Sequence, residues 1–119
     1  MELDAILKDY CSAWCEADTA RRDAFLERAW AENGVYRDPT AEVSGRAELS
    51  ALIGGLHTKM PGVTLELTTG VSQHHNCIYF GWRVVLASGD VLVEGVDFGE
   101  LAPDGRIARI TGFFGPPGA

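Results

Sequence analysis

At 119 residues the chain is long enough for one domain with its own core and short for two. Apolar residues make up 46% of it and charged residues 23%, close to the usual globular shares, which excludes a disordered or low-complexity chain. Seventeen acids against ten bases leave a net charge of −7, a balance that repels phosphate backbones, so nucleic acid is not an expected partner.

The first 16 residues predict a helix over 3–16. Leu3, Ile6, Leu7, Tyr10, Trp14 and Ala17 recur at three- and four-residue spacing and form one apolar stripe. Asp18-Thr19 offers an N-cap for a second helix reaching about residue 30, with Phe25, Leu26, Ala29 and Trp30 turned inward. The adjacent bases Arg21 and Arg22, flanked by Asp18 and Asp23, read as a solvated face of that helix. Asn33-Gly34 is expected to end it, because both residues tolerate the left-handed conformation found at helix ends. Val35-Tyr36-Arg37 is then a short extended piece closing at Asp38-Pro39, since a residue before proline is pushed out of the helical region.

Ser44-Gly45 opens a third helix to about residue 58, its inner face carrying Leu49, Leu52, Ile53 and Leu56, and Met60-Pro61-Gly62 closes it. From residue 63 the period changes to two. Val63, Leu65 and Leu67 alternate with polar residues, and Ile78, Phe80, Trp82, Val84 and Leu86 form one face of a long strand. Turns at 87–90 and 103–105 lead into strands over 91–101 and 107–114, which predicts an antiparallel meander with the earlier helices on one face. Gly81, Gly95, Gly99 and Gly112 fall inside these strands and predict strong curvature. The expected fold is therefore a single α+β domain over 1–119, three helices packed on a strongly curved antiparallel sheet in a cone with a pocket at its open end.

Four groups bear on chemistry. On the strand over 91–101, Asp97 shares a face with Val91, Val93, Gly95, Gly99 and Leu101, while Glu94 shares the other with Leu92, Val96 and Phe98. Whichever face turns inward carries a carboxylate, and burial without a positive partner raises its pKa and leaves a neutral acid able to donate a hydrogen bond. A rim or interface carboxylate without chemistry is the plainer alternative. Asp38, where a short strand meets a loop, can stay ionised at a pocket mouth and act as a general base, although Asp-Pro is also a common turn device. Tyr10 lies on the apolar stripe of the first helix, and its hydroxyl needs a partner in a ligand, Asp97 or the backbone.

His57 sits at the edge of the third helix's apolar side, where a satisfied core or surface histidine competes with a pocket role. His74 and His75 should face opposite sides of a strand and so not chelate one metal. No P-loop, dinucleotide fingerprint, HExxH or serine elbow occurs, and neither a metal nor a cofactor is expected. The three cysteines, Cys11, Cys15 and Cys77, with no secretory leader, fit reduced thiols in the cytoplasm, and no run of about 18 apolar residues predicts a membrane span.

These features resemble the SnoaL-like branch of the nuclear transport factor 2 (NTF2)-like superfamily. The likeness covers the helical start, Val-Tyr-Arg-Asp-Pro at 35–39, Ser-Gly-Arg at 44–46, Met-Pro-Gly at 60–62, and Asp-Gly-Arg-Ile-Ala-Arg-Ile-Thr-Gly-Phe-Phe-Gly at 104–115. It implies a cone of curved sheet and three helices, dimeric through the sheet, in a superfamily that holds isomerases, polyketide cyclases, epoxide hydrolases, dehydratases and non-catalytic proteins.

Among catalytic relatives the chain is most similar to the ketosteroid isomerases. Their tyrosine resembles Tyr10, their base sits in an Asp-Pro like Asp38-Pro39, and their oxyanion-hole acid lies on a strand like Asp97. The interval between Asp18 and Asp38 is longer here by about one helical turn. By this resemblance Asp38 would shuttle a proton next to a carbonyl of a small hydrophobic substrate while Tyr10 and Asp97 hold the enolate, as in an isomerase or cyclase. The alternative is a pocket protein that binds a small molecule without chemistry.

Overall fold

The computed structural model describes residues 2–118. Three helices, α1 (Leu3–Trp14), α2 (Thr19–Ala29) and α3 (Gly45–Lys59), alternate with and precede seven strands. The strands are β1 (Trp30–Asp38), β2 (Ala41–Ser44), β3 (Thr64–Leu67), β4 (Ser72–His74), β5 (Cys77–Val85), β6 (Val91–Leu101) and β7 (Ile107–Phe114). The helices cover one face of the sheet, and the core lies between the two layers.

The stripe read on α1 is the buried one: Ile6, Leu7, Tyr10, Ala13 and Trp14 face the core, although the helix stops at Trp14 and leaves Ala17 exposed. Asp18 caps α2 as expected, its carboxylate accepting from the Arg21 amide at 3.0 Å. On the sheet, Ile78, Phe80, Trp82 and Val84 are buried along one face of β5, and Tyr79 and Arg83 point to the other. In β6 the same alternation turns Asp97 inward, only 4% exposed, and leaves Glu94 in solvent.

The expected cone does not form. The strands make one open sheet in the order β2-β1-β7-β6-β5-β3, with β4 beside β5, so β2 and β3 remain edges and the sheet is neither closed nor strongly curved. Nor is it wholly antiparallel, because β1 runs parallel to β7, with Tyr36 opposite Ile110 and Arg37 opposite Thr111. That pairing sets the segment around Asp38 between β2 and β7, off the sheet edge.

The four strand glycines, taken in the sequence as bending points, have a different role. None has a positive φ. They make room for neighbours instead: a Cβ on Gly95 would lie 2.1 Å from the Phe113 carbonyl oxygen and 2.7 Å from the Trp82 ring. Glycine here lets an indole lie flat across the adjacent strand, and the backbone stays extended.

Three further departures have local causes. The second helix ends at Ala29 and not at Asn33-Gly34, because Trp30 already pairs with Ile107 as the start of β1. Arg22 is not solvated but buried. Its guanidinium is held by Ser50 Oγ (3.0 Å), the Glu16 carbonyl (2.9 Å) and Thr19 Oγ1 (3.3 Å), bonds that satisfy a charge with neutral acceptors from the α1–α2 junction and from within α3. His57 is also buried, its Nε2 2.8 Å from the carbonyl of Trp14 at the end of α1, which ties α3 to α1.

Two glycine substitutions separate crowding from backbone freedom. Gly95→Ala should lower stability by about 2 kcal/mol or more, because a backbone oxygen cannot move aside. Gly55→Ala, on a helix position with nothing within 4 Å, should raise it by up to about 1 kcal/mol. Urea denaturation of the two variants against wild type checks both signs.

Candidate functional site

Between the inner face of the sheet and helices α1 and α3 lies a cavity of about 370 Å³. Its walls are apolar: Trp14 from α1, Leu52 and Leu56 from α3, and Trp82, Val93 and Phe114 from the sheet. Its polar groups are few, and they include Tyr10, Asp38 and Asp97. All three residues singled out in the sequence line this one cavity.

The two acids come together through strand register. Asp97 sits on β6 opposite Gly112 of β7, and Arg37 of β1 sits opposite Thr111, so Asp38 is the next residue along beside Gly112. A Cβ at Gly112 would stand 2.8 Å from Asp97 Oδ1 and 3.6 Å from the Asp38 Cβ. Gly112 is the gap that brings the acids together.

Their surroundings differ. Asp38 is half-buried and held by three donors: Tyr36 Oη to Oδ2, and the Thr40 amide and hydroxyl to Oδ1, each at 2.7 Å. Asp97 is buried and takes one hydrogen bond, from Trp82 Nε1 to Oδ1 at 2.8 Å; its other oxygen receives none from the described residues. Burial pushes its carboxyl up to about 7, the negative Asp38 adds to the rise, and the Trp82 indole only partly opposes it. Neighbouring acids in unlike surroundings are an arrangement that can give two carboxyl groups different tasks.

Tyr10 is almost fully buried, its ring stacked on Trp30 at 5.8 Å and edge-on to Trp14 at 6.5 Å. Burial, and then the charge of Asp97, raise its phenol well above the ordinary value, so it remains a neutral O–H. Tyr36 is raised for the same first reason, and its hydrogen bond to Asp38 adds to it.

Tyr36, Thr40, Trp82 and Gly112 are site residues that the sequence reading did not assign a role. In the sequence Tyr36 reads only as part of a short extended piece and Trp82 only as part of an apolar strand face. Period-two alternation offered a signal for Tyr36, since it lies two residues before Asp38 and on the same strand face. Trp82 and Gly112 depend on cross-strand register, which no local pattern reveals.

Of the remaining candidates, Glu94 and His57 stand outside the cavity. His74 and His75 do not alternate as expected: His75 adopts φ 55°, and the turn brings the two Nδ1 atoms to 3.0 Å. Among the described residues no group of three or more His, Cys, Asp and Glu side chains is placed to hold a metal. No described helix is long and apolar enough to cross a membrane.

Comparison with protein-family models matches residues 8–110 to the SnoaL-like domain. The chain belongs to this family. A SnoaL-like protein from Agrobacterium tumefaciens str. C58, provisionally described as an isomerase, is 34% identical; the match covers 93% of this chain and 95% of that one, with a TM-score of 0.86. An NTF2-like protein of unknown function from Exiguobacterium sp. 255-15 is 17% identical, with coverage of 92% and 98% and a TM-score of 0.74.

A protein with a ketosteroid isomerase-like fold from Catenulispora acidiphila, crystallised with trimethylamine, is 13% identical, with coverage of 90% and 82% and a TM-score of 0.72. At that identity it shows a shared fold alone. No match is found among curated proteins. The SnoaL-like assignment read from the sequence is thus correct, and the likeness to NTF2-like proteins holds for the fold.

Because the folded state holds the Asp97 proton more tightly than the unfolded chain, this group favours folding at acid pH. Its contribution is complete below the ordinary carboxyl pKa near 4 and is lost as pH rises through about 7. Thermal melts from pH 4.5 to 8 should therefore show wild type losing stability relative to Asp97→Asn, whose side chain has no proton to release.

Proposed function

We propose that the cavity is the site of a cofactor-independent isomerase or cyclase that removes a proton next to the carbonyl of a small hydrophobic substrate. The observation that carries this reading is the meeting of Asp38 and Asp97 at Gly112 inside one apolar cavity. Asp38, at the more open side and held by Tyr36 and Thr40, is the base that takes the proton and returns it at another carbon. Asp97, neutral over part of the physiological range, donates a hydrogen bond to the oxygen on which charge develops, and Tyr10 adds a second donor. Such a pair of acids beside a tyrosine is the known logic of ketosteroid isomerases. The provisional isomerase description of the 34%-identical relative agrees with it.

A second reading, binding of a small molecule without chemistry, is favoured by one feature. Both oxygens of Asp38 are already engaged, by Tyr36 and by Thr40, and neither is left free to take a proton from a substrate. Exchange of α-protons from cyclic ketones and enones in deuterated water separates the readings. The enzyme reading predicts exchange that Asp38→Asn lowers by roughly 10²- to 10⁴-fold with folding intact. Saturable binding with no exchange would leave the second.

We further propose that the protein is a cytoplasmic homodimer joined through the outer face of its sheet. All three cysteines are free thiols. The outer face exposes Tyr79, Phe98 and Phe113 around Val96, and charged residues flank this patch on both sides. An apolar centre with a charged rim suits a two-fold, self-complementary contact. Phe113→Glu should convert the dimer to a monomer in sedimentation velocity; an unchanged sedimentation coefficient would place the contact elsewhere.

A further inference from the structure

The charge balance of the cavity is one-sided. Its lining holds two carboxyl side chains, Asp38 and Asp97, and no Lys, Arg or His. The arginines that pair with acids do so elsewhere on the surface: Arg28 with Asp9, Arg37 with Glu42, Arg83 with Glu66 and Arg106 with Asp104. Arg22 is held within the helical layer by neutral acceptors, and Arg46 donates to the Trp30 carbonyl. A buried carboxylate without a counter-charge is costly, and the described residues give Asp97 one hydrogen-bond donor, Trp82 Nε1. A cation seated in the cavity would supply that counter-charge.

The walls favour the same ligand. Trp14 and Tyr36 meet at 5.4 Å with their planes tilted by 49°, and Trp82 and Phe114 meet edge-to-face at 5.8 Å. These aromatic residues line the cavity together with the two acids. Aromatic faces attract an organic ammonium through their quadrupoles, most strongly where water is displaced. Carboxylates supply the complementary charge. Phosphorylated, carboxylated or coenzyme A-linked ligands would meet two negative groups and no positive one, and are disfavoured. At about 370 Å³ the cavity is at the lower end of small-molecule sites, which suits a compact ligand with one polar end.

We infer that the cavity is a binding site for organic ammonium cations carrying a compact apolar body, with the positive group seated between Asp97, Asp38 and the aromatic walls. This goes beyond proton abstraction and does not depend on it, since the recognition needs no chemistry. The groups facing Asp97 are Trp82 and Gly112 from neighbouring strands, Asp38 and Tyr36 from β1, and Tyr10 and Cys11 from α1. Both phenols and the Cys11 thiol are raised by burial and stay protonated at neutral pH, so only the carboxyl groups set the pH dependence. Cation binding then competes with a proton at Asp97 and tightens as pH rises.

The test compares benzyltrimethylammonium with neopentylbenzene, its neutral isostere, and with phenylacetate, by tryptophan fluorescence and titration calorimetry. The expected result at pH 8 is affinity for the cation at least about tenfold above the isostere, and none detected for phenylacetate. Cation affinity should fall on going from pH 8 to pH 6, while Asp97→Asn should lose both the pH dependence and most of the preference. Equal or tighter binding of the isostere, or a preference unchanged in Asp97→Asn, would overturn the inference. Where that variant does not fold, the wild-type profile decides: flat cation affinity between pH 6 and 8 overturns it. The α-proton exchange of neutral ketones is scored separately, so either reading can fail alone.

Discussion

A carboxyl group buried without a counter-charge organises this molecule. Asp97 stands on a central strand, behind apolar walls, with one indole donor and a second carboxylate nearby. Water would solvate it far better, and the fold bears that cost because the rest of the cavity is built around it. Gly112 leaves the space it occupies, Trp82 supplies its hydrogen bond from the neighbouring β5, and Gly95 allows the Trp82 ring to lie where it can do so. Replacing the acid by an apolar residue would be the simpler solution for stability alone. Polar groups kept in an apolar cavity at a cost are more readily explained by a ligand than by folding.

The parallel pairing of β1 with β7 is the second structural condition. In a plain meander Asp38 would end on an edge, far from the third long strand. With β1 inserted between β2 and β7, Asp38 reaches Gly112 from one side and Asp97 reaches it from the other. The asymmetry between the acids follows from this placement. Asp38 emerges at a strand end where Thr40 and Tyr36 can wrap its oxygens, whereas Asp97 lies in mid-strand with its neighbours committed to ladder hydrogen bonds. One constellation thus holds an acid with three hydrogen-bond donors and an acid with one.

Much of the fold was legible in periodicity. The stripe on α1, the Asp18 cap and the alternation of β5 follow from local side-chain patterns, and the structure reproduces them. The misreadings share one cause, that the deciding partners are distant in sequence. Strand glycines looked like bends, yet the ring and carbonyl that need their space come from other strands. Arg22 looked solvated from its charged neighbours, although its acceptors include Ser50 on another helix. Asn33-Gly34 looked like a helix end, but the pairing of Trp30 with β7 had already ended it. For the cavity, residue type and strand face pointed to Tyr10, Asp38 and Asp97, while the register that adds Trp82 and Gly112 was not readable locally.

The central claim is that Asp97 carries its proton near neutrality because it is buried beside Asp38. Carboxyl carbon chemical shifts of labelled aspartate, followed by NMR from pH 3 to 9, measure this directly. The account predicts that Asp97 titrates near 7 and that Asp38→Asn moves it downward, since a neighbouring negative charge is removed. An Asp97 titrating near the ordinary value of about 4, or one indifferent to Asp38→Asn, would contradict it.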